Sequence, residues 1–144
     1  MSRESLQKLS SDITFHSPAT DDEIDRIATE LGVALPAELR SILSASNGIE
    51  GEYGLGLLWN ADRIIQDNKQ FRSSPDFAEL YMPFDCLLFF GDAGNGDQFA
   101  FPIQAGNITR PDIFVWNHED DSRSWVAPSL ETYFDWMISG KITV

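Results

Sequence analysis

The chain has 144 residues and a mass of 16.2 kDa, the length of one domain. Ten Lys and Arg stand against 23 Asp and Glu, giving a formal net charge of −13 and a pI near 4.3. Hydrophobic residues make up 42% of the sequence, enough for a core, so the acidity is not that of a disordered chain; it excludes the cationic face that a nucleic-acid backbone requires.

Cys86 is the one cysteine, which excludes an intramolecular disulfide and a cysteine-based zinc site. Met1 to Phe15 is polar and mixed in charge, without the apolar core of a secretory signal. The longest strongly apolar run, Cys86 to Phe90, falls far short of the ~20 residues a membrane helix needs. A reduced, cytoplasmic protein with no membrane contact is expected.

Residues 1–19 read as an N-terminal arm or short helix, with Leu6, Leu9, Ile13 and Phe15 among polar groups. Thr20-Asp21-Asp22-Glu23 fits a capping box. Ile24, Ile27, Ala28 and Leu31 follow on one helical stripe, and Gly32 stands where a left-handed C-terminal glycine belongs. Leu35-Pro36 opens a second helix with Leu39, Ile42, Leu43 and Ser46 inward, closed by Asn47-Gly48. Glu52 to Trp59 reads as a strand, and Asn60 or Asp62 caps a helix over about Asp62–Phe71 with Ile64 and Ile65 inside. Ser73-Ser74-Pro75 breaks it, and Asp76 to Pro83 is ambiguous.

Cys86 to Phe90 reads as a strand buried on both faces, with Cys86 as a structural thiol. Gly91 to Gly96 is a glycine-dependent turn, followed by strands over Gln98–Phe101 and Asp112–Trp116. His118 to Ser124 is a charged loop, and Trp125–Ala127 is extended. Pro128-Ser129 leads into a last helix carrying Leu130, Tyr133, Phe134, Met137 and Ile138 on one face. The order predicts one α+β domain over residues 1–144, a central, largely antiparallel sheet flanked by N-terminal helices and a C-terminal helix.

No catalytic constellation assembles from these residues. His16 and His118 are the only imidazoles, and neither a Gly-x-Ser-x-Gly elbow nor a phosphate loop ending in Lys-Ser/Thr is present. Asp92 begins no calcium loop, because Gly94 and Gly96 occupy ligand positions and Ile103 stands where the closing Glu belongs. Asn117-His118-Glu119-Asp120-Asp121 reads as a solvated acidic loop, since consecutive residues rarely converge on one ion. No enzyme activity, cofactor or metal is expected.

Charge is unevenly placed. From Ser73 to Gly140 there are 11 acids against Arg110 and Arg123, a net of −9; from Met1 to Arg72 the net is −5. Solubility accounts for such a charge, and so does steering of a basic protein partner.

Three blocks carry a resemblance to a known family. They are Leu35-Pro36-Ala37-Glu38-Leu39 through Asn47-Gly48; Leu88 to Asp97; and Val115-Trp116-Asn117-His118-Glu119 followed by Val126 to Tyr133. In this order the chain resembles the SMI1/KNR4 (SUKH) superfamily, in its small single-domain bacterial type. Asn95 stands where that family commonly has glycine, and Leu130 where it has Phe. The resemblance implies an α+β fold without catalytic residues. It implies an immunity protein that binds and neutralises a cognate toxin, often a nuclease, of a polymorphic or contact-dependent toxin system. The alternative it leaves is a regulatory or scaffold module with an endogenous partner. On this reading Asp92, Asp97, Glu119, Asp120 and Asp121 are the candidate contact residues for a basic toxin. Trp116 and Trp125 are read as core, with anchoring of the partner as the alternative.

Overall fold

The computed structural model describes residues 3–8 and 12–142. Leu9 lies outside the described residues. Helix α1, Arg3–Gln7, buries Leu6 against the main core. Helix α2, Asp21–Leu31, begins with the expected reciprocal cap: Glu23 N–H donates to Thr20 Oγ1 at 3.1 Å, and Thr20 N–H to Glu23 Oε1 at 3.0 Å. It ends at Gly32, whose φ of 67° is left-handed. Helix α3, Ala37–Ala45, starts after Pro36 and buries Leu39, Ile42 and Leu43. Helix α4, Ala61–Ser73, buries Ile64, Ile65 and Asn68. The ambiguous stretch after it resolves into α5, Pro75–Leu80, with Ser74 Oγ accepting from Phe77 N–H.

The antiparallel sheet is built in two parts. Strands β1 (Thr14–Phe15), β2 (Ile49–Glu50) and β3 (Gly56–Leu58) form one, in that order. Strands β4 (Leu87–Asp92), β5 (Gln98–Pro102), β6 (Ile113–Trp116) and β7 (Arg123–Ala127) form a four-stranded meander. The parts join at a bulge. Phe89 pairs with Ala100 and Gly91 with Phe99, so Phe90 has no partner on β5, and its carbonyl accepts instead from Trp59 N–H at 2.8 Å. Helix α6, Leu130–Ile138, is capped by Ser129, whose Oγ accepts from Thr132 N–H at 3.2 Å, and buries Leu130, Tyr133 and Phe134.

Asn68 fastens α4 to β4. It is buried, donates from Nδ2 to the carbonyls of Ile64 (2.7 Å) and Phe89 (2.9 Å), and accepts from Phe89 N–H at 2.9 Å. Its side-chain amide thus satisfies both backbone groups of Phe89, as a neighbouring strand would. Arg72, one turn further along α4, donates to the Leu31 carbonyl at the end of α2 and to the Leu87 carbonyl, both at 3.2 Å. Burial lowers its pKa, against the opposing charges of Asp85 and Cys86. The core beneath is continuous and aromatic. Phe71, Phe77, Tyr81, Phe84, Phe89 and Trp116 form a network of stacked, tilted and edge-to-face rings with centroid separations from 4.7 to 6.2 Å.

Three readings of the sequence are corrected. Cys86 is exposed, because β4 starts one residue later; its Sγ lies 3.1 Å from Arg123 Nη1. Trp125 is 49% exposed, because β7 is the outer strand of its sheet. The predicted strand from Glu52 to Trp59 is extended only over β3. Ahead of it, Glu52–Gly54 turn tightly, with Gly51 N–H bonded to the Leu55 carbonyl at 2.8 Å and Gly54 N–H to the Gly51 carbonyl at 3.2 Å. Among the described residues no helix is long and apolar enough to cross a membrane.

Candidate functional site

The residues that look most like a motif build the frame. Asn47 Oδ1 accepts from Ala61 N–H at 2.9 Å and Asn60 Oδ1 from Arg63 N–H at 2.8 Å, so two asparagines cap the start of α4. Gly48 adopts a φ of 104° against Asn60, where a Cβ would stand 3.3 Å from the Asn60 nitrogen. The cap fixes Arg63 in place. Its guanidinium lies 4.2 Å above the Trp59 ring, and pairs with Asp67 at 3.0 Å and with Asp92 at 2.9 Å. Burial opposes its charge, but the two carboxylates outweigh that effect and raise its pKa.

Asp97 is also internal. At 5% exposed it accepts from the His118 backbone N–H at 3.1 Å, and its Oδ1 lies 2.6 Å from His118 Nδ1. The glycine turn packs on the same imidazole, since a Cβ on Gly96 would stand 2.9 Å from it. This contact brings the 93–97 turn and the 118–122 loop together. An Asp–His pair is the orienting half of a nucleophilic triad, yet His118 Nε2 bonds to no hydroxyl or thiol among the described residues. Among the described residues no group of three or more His, Cys, Asp or Glu side chains could hold a metal ion.

Asp121 is a latch. Its carboxylate accepts from Trp116 Nε1 (2.8 Å), Met82 N–H (2.9 Å) and Arg123 Nη2 (3.1 Å), and its side chain is 14% exposed. Burial raises its pKa, and the three donors override that and lower it. Arg123 extends the latch to the carbonyls of Met82 and Pro83, both at 3.0 Å, and lies 4.9 Å from the Phe84 ring. Tyr81 Oη closes it by donating to the His118 carbonyl at 2.9 Å.

Of the five carboxylates singled out from the sequence, Asp92, Asp97 and Asp121 are therefore engaged within the molecule. Glu119 and Asp120 are exposed. Asp120 Oδ1 accepts from Ser122 N–H at 2.9 Å, and hydrogen bonds from Ser122 lower its pKa. The two Arg between residues 73 and 140 are paired within the chain as well: exposed Arg110 with Asp112 at 2.5 Å and covered Arg123 with Asp121 at 3.1 Å. Asp76, Glu79, Glu119, Asp120 and Glu131 are exposed and make no ion pair among the described residues.

The loop before β3 was not singled out from the sequence. Tyr53 is 99% exposed with φ 60° and ψ 26°, a left-handed conformation rare for a bulky side chain. On one side lies a cleft of about 420 Å³ lined by His16, Asn47, Glu50, Trp59 and Arg63 among others. On the other lies a cavity of about 240 Å³ walled by Ile13, Leu55, Leu57, Met137 and Ile138. A Tyr bracketed by Gly51 and Gly54 is the signal in the sequence that marks this loop.

An α+β fold whose motif-like residues serve its frame, and whose surface offers carboxylates and isolated aromatics, has the character of a protein-interaction module. The chain belongs to the SMI1 / KNR4 family (SUKH-1), whose model matches residues 18–136. That membership is consistent with a protein-interaction or immunity-type domain. No curated protein sequence matches the chain.

Proposed function

We propose that this protein neutralises a basic toxin by stoichiometric binding in the cytoplasm, without catalysing a reaction. The observation that carries the reading is the state of its charge. Arg110 and Arg123, the two Arg between residues 73 and 140, are each paired with an aspartate of the same chain, while Glu119, Asp120, Asp76, Glu79 and Glu131 face solvent with no ion pair among the described residues. Such a surface attracts a cationic protein at long range and speeds encounter by ~10–1000-fold at low salt. Membership of SUKH-1 supports an immunity role over other uses of an acidic surface. A nuclease suits the charge, because its substrate groove is cationic.

The test is co-expression with a toxin whose gene adjoins this one. Rescue of growth, with a one-to-one complex whose association slows as salt rises, is the expected result. Cells that die as readily with the protein as without it rule out immunity to that toxin. A stable complex without any rescue would favour a regulatory or scaffold partner.

A further inference from the structure

We infer that the ridge formed by residues 51–56 is the grip on the partner, and that it takes a lysine or arginine side chain flanked by apolar residues. This rests on the protein-binding reading above and assigns the contact to residues other than those of the 118–122 loop. Tyr53 is the starting point. Its ring is almost wholly in water, and its backbone is held in a region that disfavours any side chain with a Cβ. Such a conformation persists where the surroundings impose it. Here three hydrogen bonds do so: Gly51 N–H to Leu55, Gly54 N–H to Gly51, and Leu55 N–H to Glu52. The backbone of the loop is therefore fixed by its own hydrogen bonds, and a partner has only the Tyr53 side chain left to order.

The cavity beside the ring defines what it accepts. Its walls are aliphatic, Ile13, Leu55, Leu57, Met137 and Ile138, and its volume of about 240 Å³ admits one long side chain rather than a helix. Its charged lining is acidic: Glu52 and Asp12 contribute, and no Lys, Arg or His lines it among the described residues. Glu52 is exposed and enters no ion pair among the described residues. An apolar slot with a carboxylate at its rim matches a side chain with a methylene stem and a cationic head. The Tyr53 ring offers that head a π-face and the flanking residue an apolar one. Exposed tyrosines at rigid positions are favoured interface anchors.

The test uses isotope-labelled protein titrated with the peptide acetyl-Leu-Lys-Leu-amide, and separately with acetyl-Leu-Glu-Leu-amide. The expected result is dose-dependent amide shifts at Gly51, Glu52, Tyr53 and Gly54 and at Met137 and Ile138, at least about tenfold weaker with the glutamate peptide. Tyr53→Gly should abolish them while the melting temperature rises, because glycine accepts the left-handed conformation; Glu52→Gln should weaken them with the fold intact. Absence of shifts on the ridge, equal response to both peptides, or shifts centred on Glu119 and Asp120 would overturn the assignment. No toxin enters this experiment. Its failure leaves the immunity reading untouched, and a failed rescue leaves the ridge untouched.

Discussion

Tyr133 Oη donates to the Leu57 carbonyl oxygen at 2.7 Å, tying the C-terminal helix to β3. Gly91 passes between them so closely that a Cβ there would stand 2.5 Å from that oxygen and 2.9 Å from the hydroxyl. Burial, with the nearby Asp92 charge, raises the Tyr133 pKa well above its ordinary value, so the phenol remains a donor.

Two substitutions at this junction should differ in size. Tyr133→Phe leaves a buried carbonyl unpaired and should cost about 1–2 kcal/mol. Gly91→Ala drives a methyl group into backbone and should cost about 3 kcal/mol. Urea denaturation ranks them; equal costs would mean that the backbone shifts to accommodate the methyl.

Asn68→Ala strips the Phe89 N–H and C=O of their partner within the core. A loss of about 2–4 kcal/mol is expected, since two buried backbone groups are orphaned at once. The midpoint of chemical denaturation measures it, and a cost under about 1 kcal/mol would show that water replaces the amide.

Asp121 carries a pH signature. Its folded pKa is lowered, so its contribution is complete above the unfolded value of about 3.9 and fades as pH falls through the folded one. Asp121→Asn should therefore cost about 1–3 kcal/mol at pH 7. The gap to the parent protein should close in acid below about pH 4. Stability curves at several pH values, with a gap independent of pH, would contradict the latch.

Exposed and internal carboxylates should behave differently. Glu119→Gln with Asp120→Asn should leave stability within about 0.5 kcal/mol while slowing association with a basic partner. Asp97→Ala, which removes the partner of the His118 backbone N–H and of its Nδ1, should cost about 2 kcal/mol. Thermal melts and stopped-flow association separate the two classes.

Cys86 is accessible in the folded state. A maleimide should label it fully in native buffer, at a rate little changed by urea. Labelling that awaits unfolding would place the thiol inside.

Helices were legible from local chemistry. The Thr20–Glu23 box, Gly32, Asn60 and Ser129 each mark a terminus that the structure keeps, because caps depend on neighbours in sequence. The division of the sheet was not legible, since it turns on a bulge at Phe90 and a single bond to Trp59. Nor was the exposure of Cys86 and Trp125, which depends on where one strand starts and which strand lies outermost. The acidic residues were visible as a count, yet Asp97 and Asp121 differ from Glu119 and Asp120 only through tertiary donors. Tyr53 was hidden by hydrophobicity, which reads an aromatic among glycines as strand.

The Asn68 amide has a consequence for how the molecule meets others. It closes the outer rim of β4 at Phe89, and Trp59 closes it at Phe90. The meander is therefore one-sided, and a foreign strand seeking to extend it meets β7 alone, with Trp125 standing at that border.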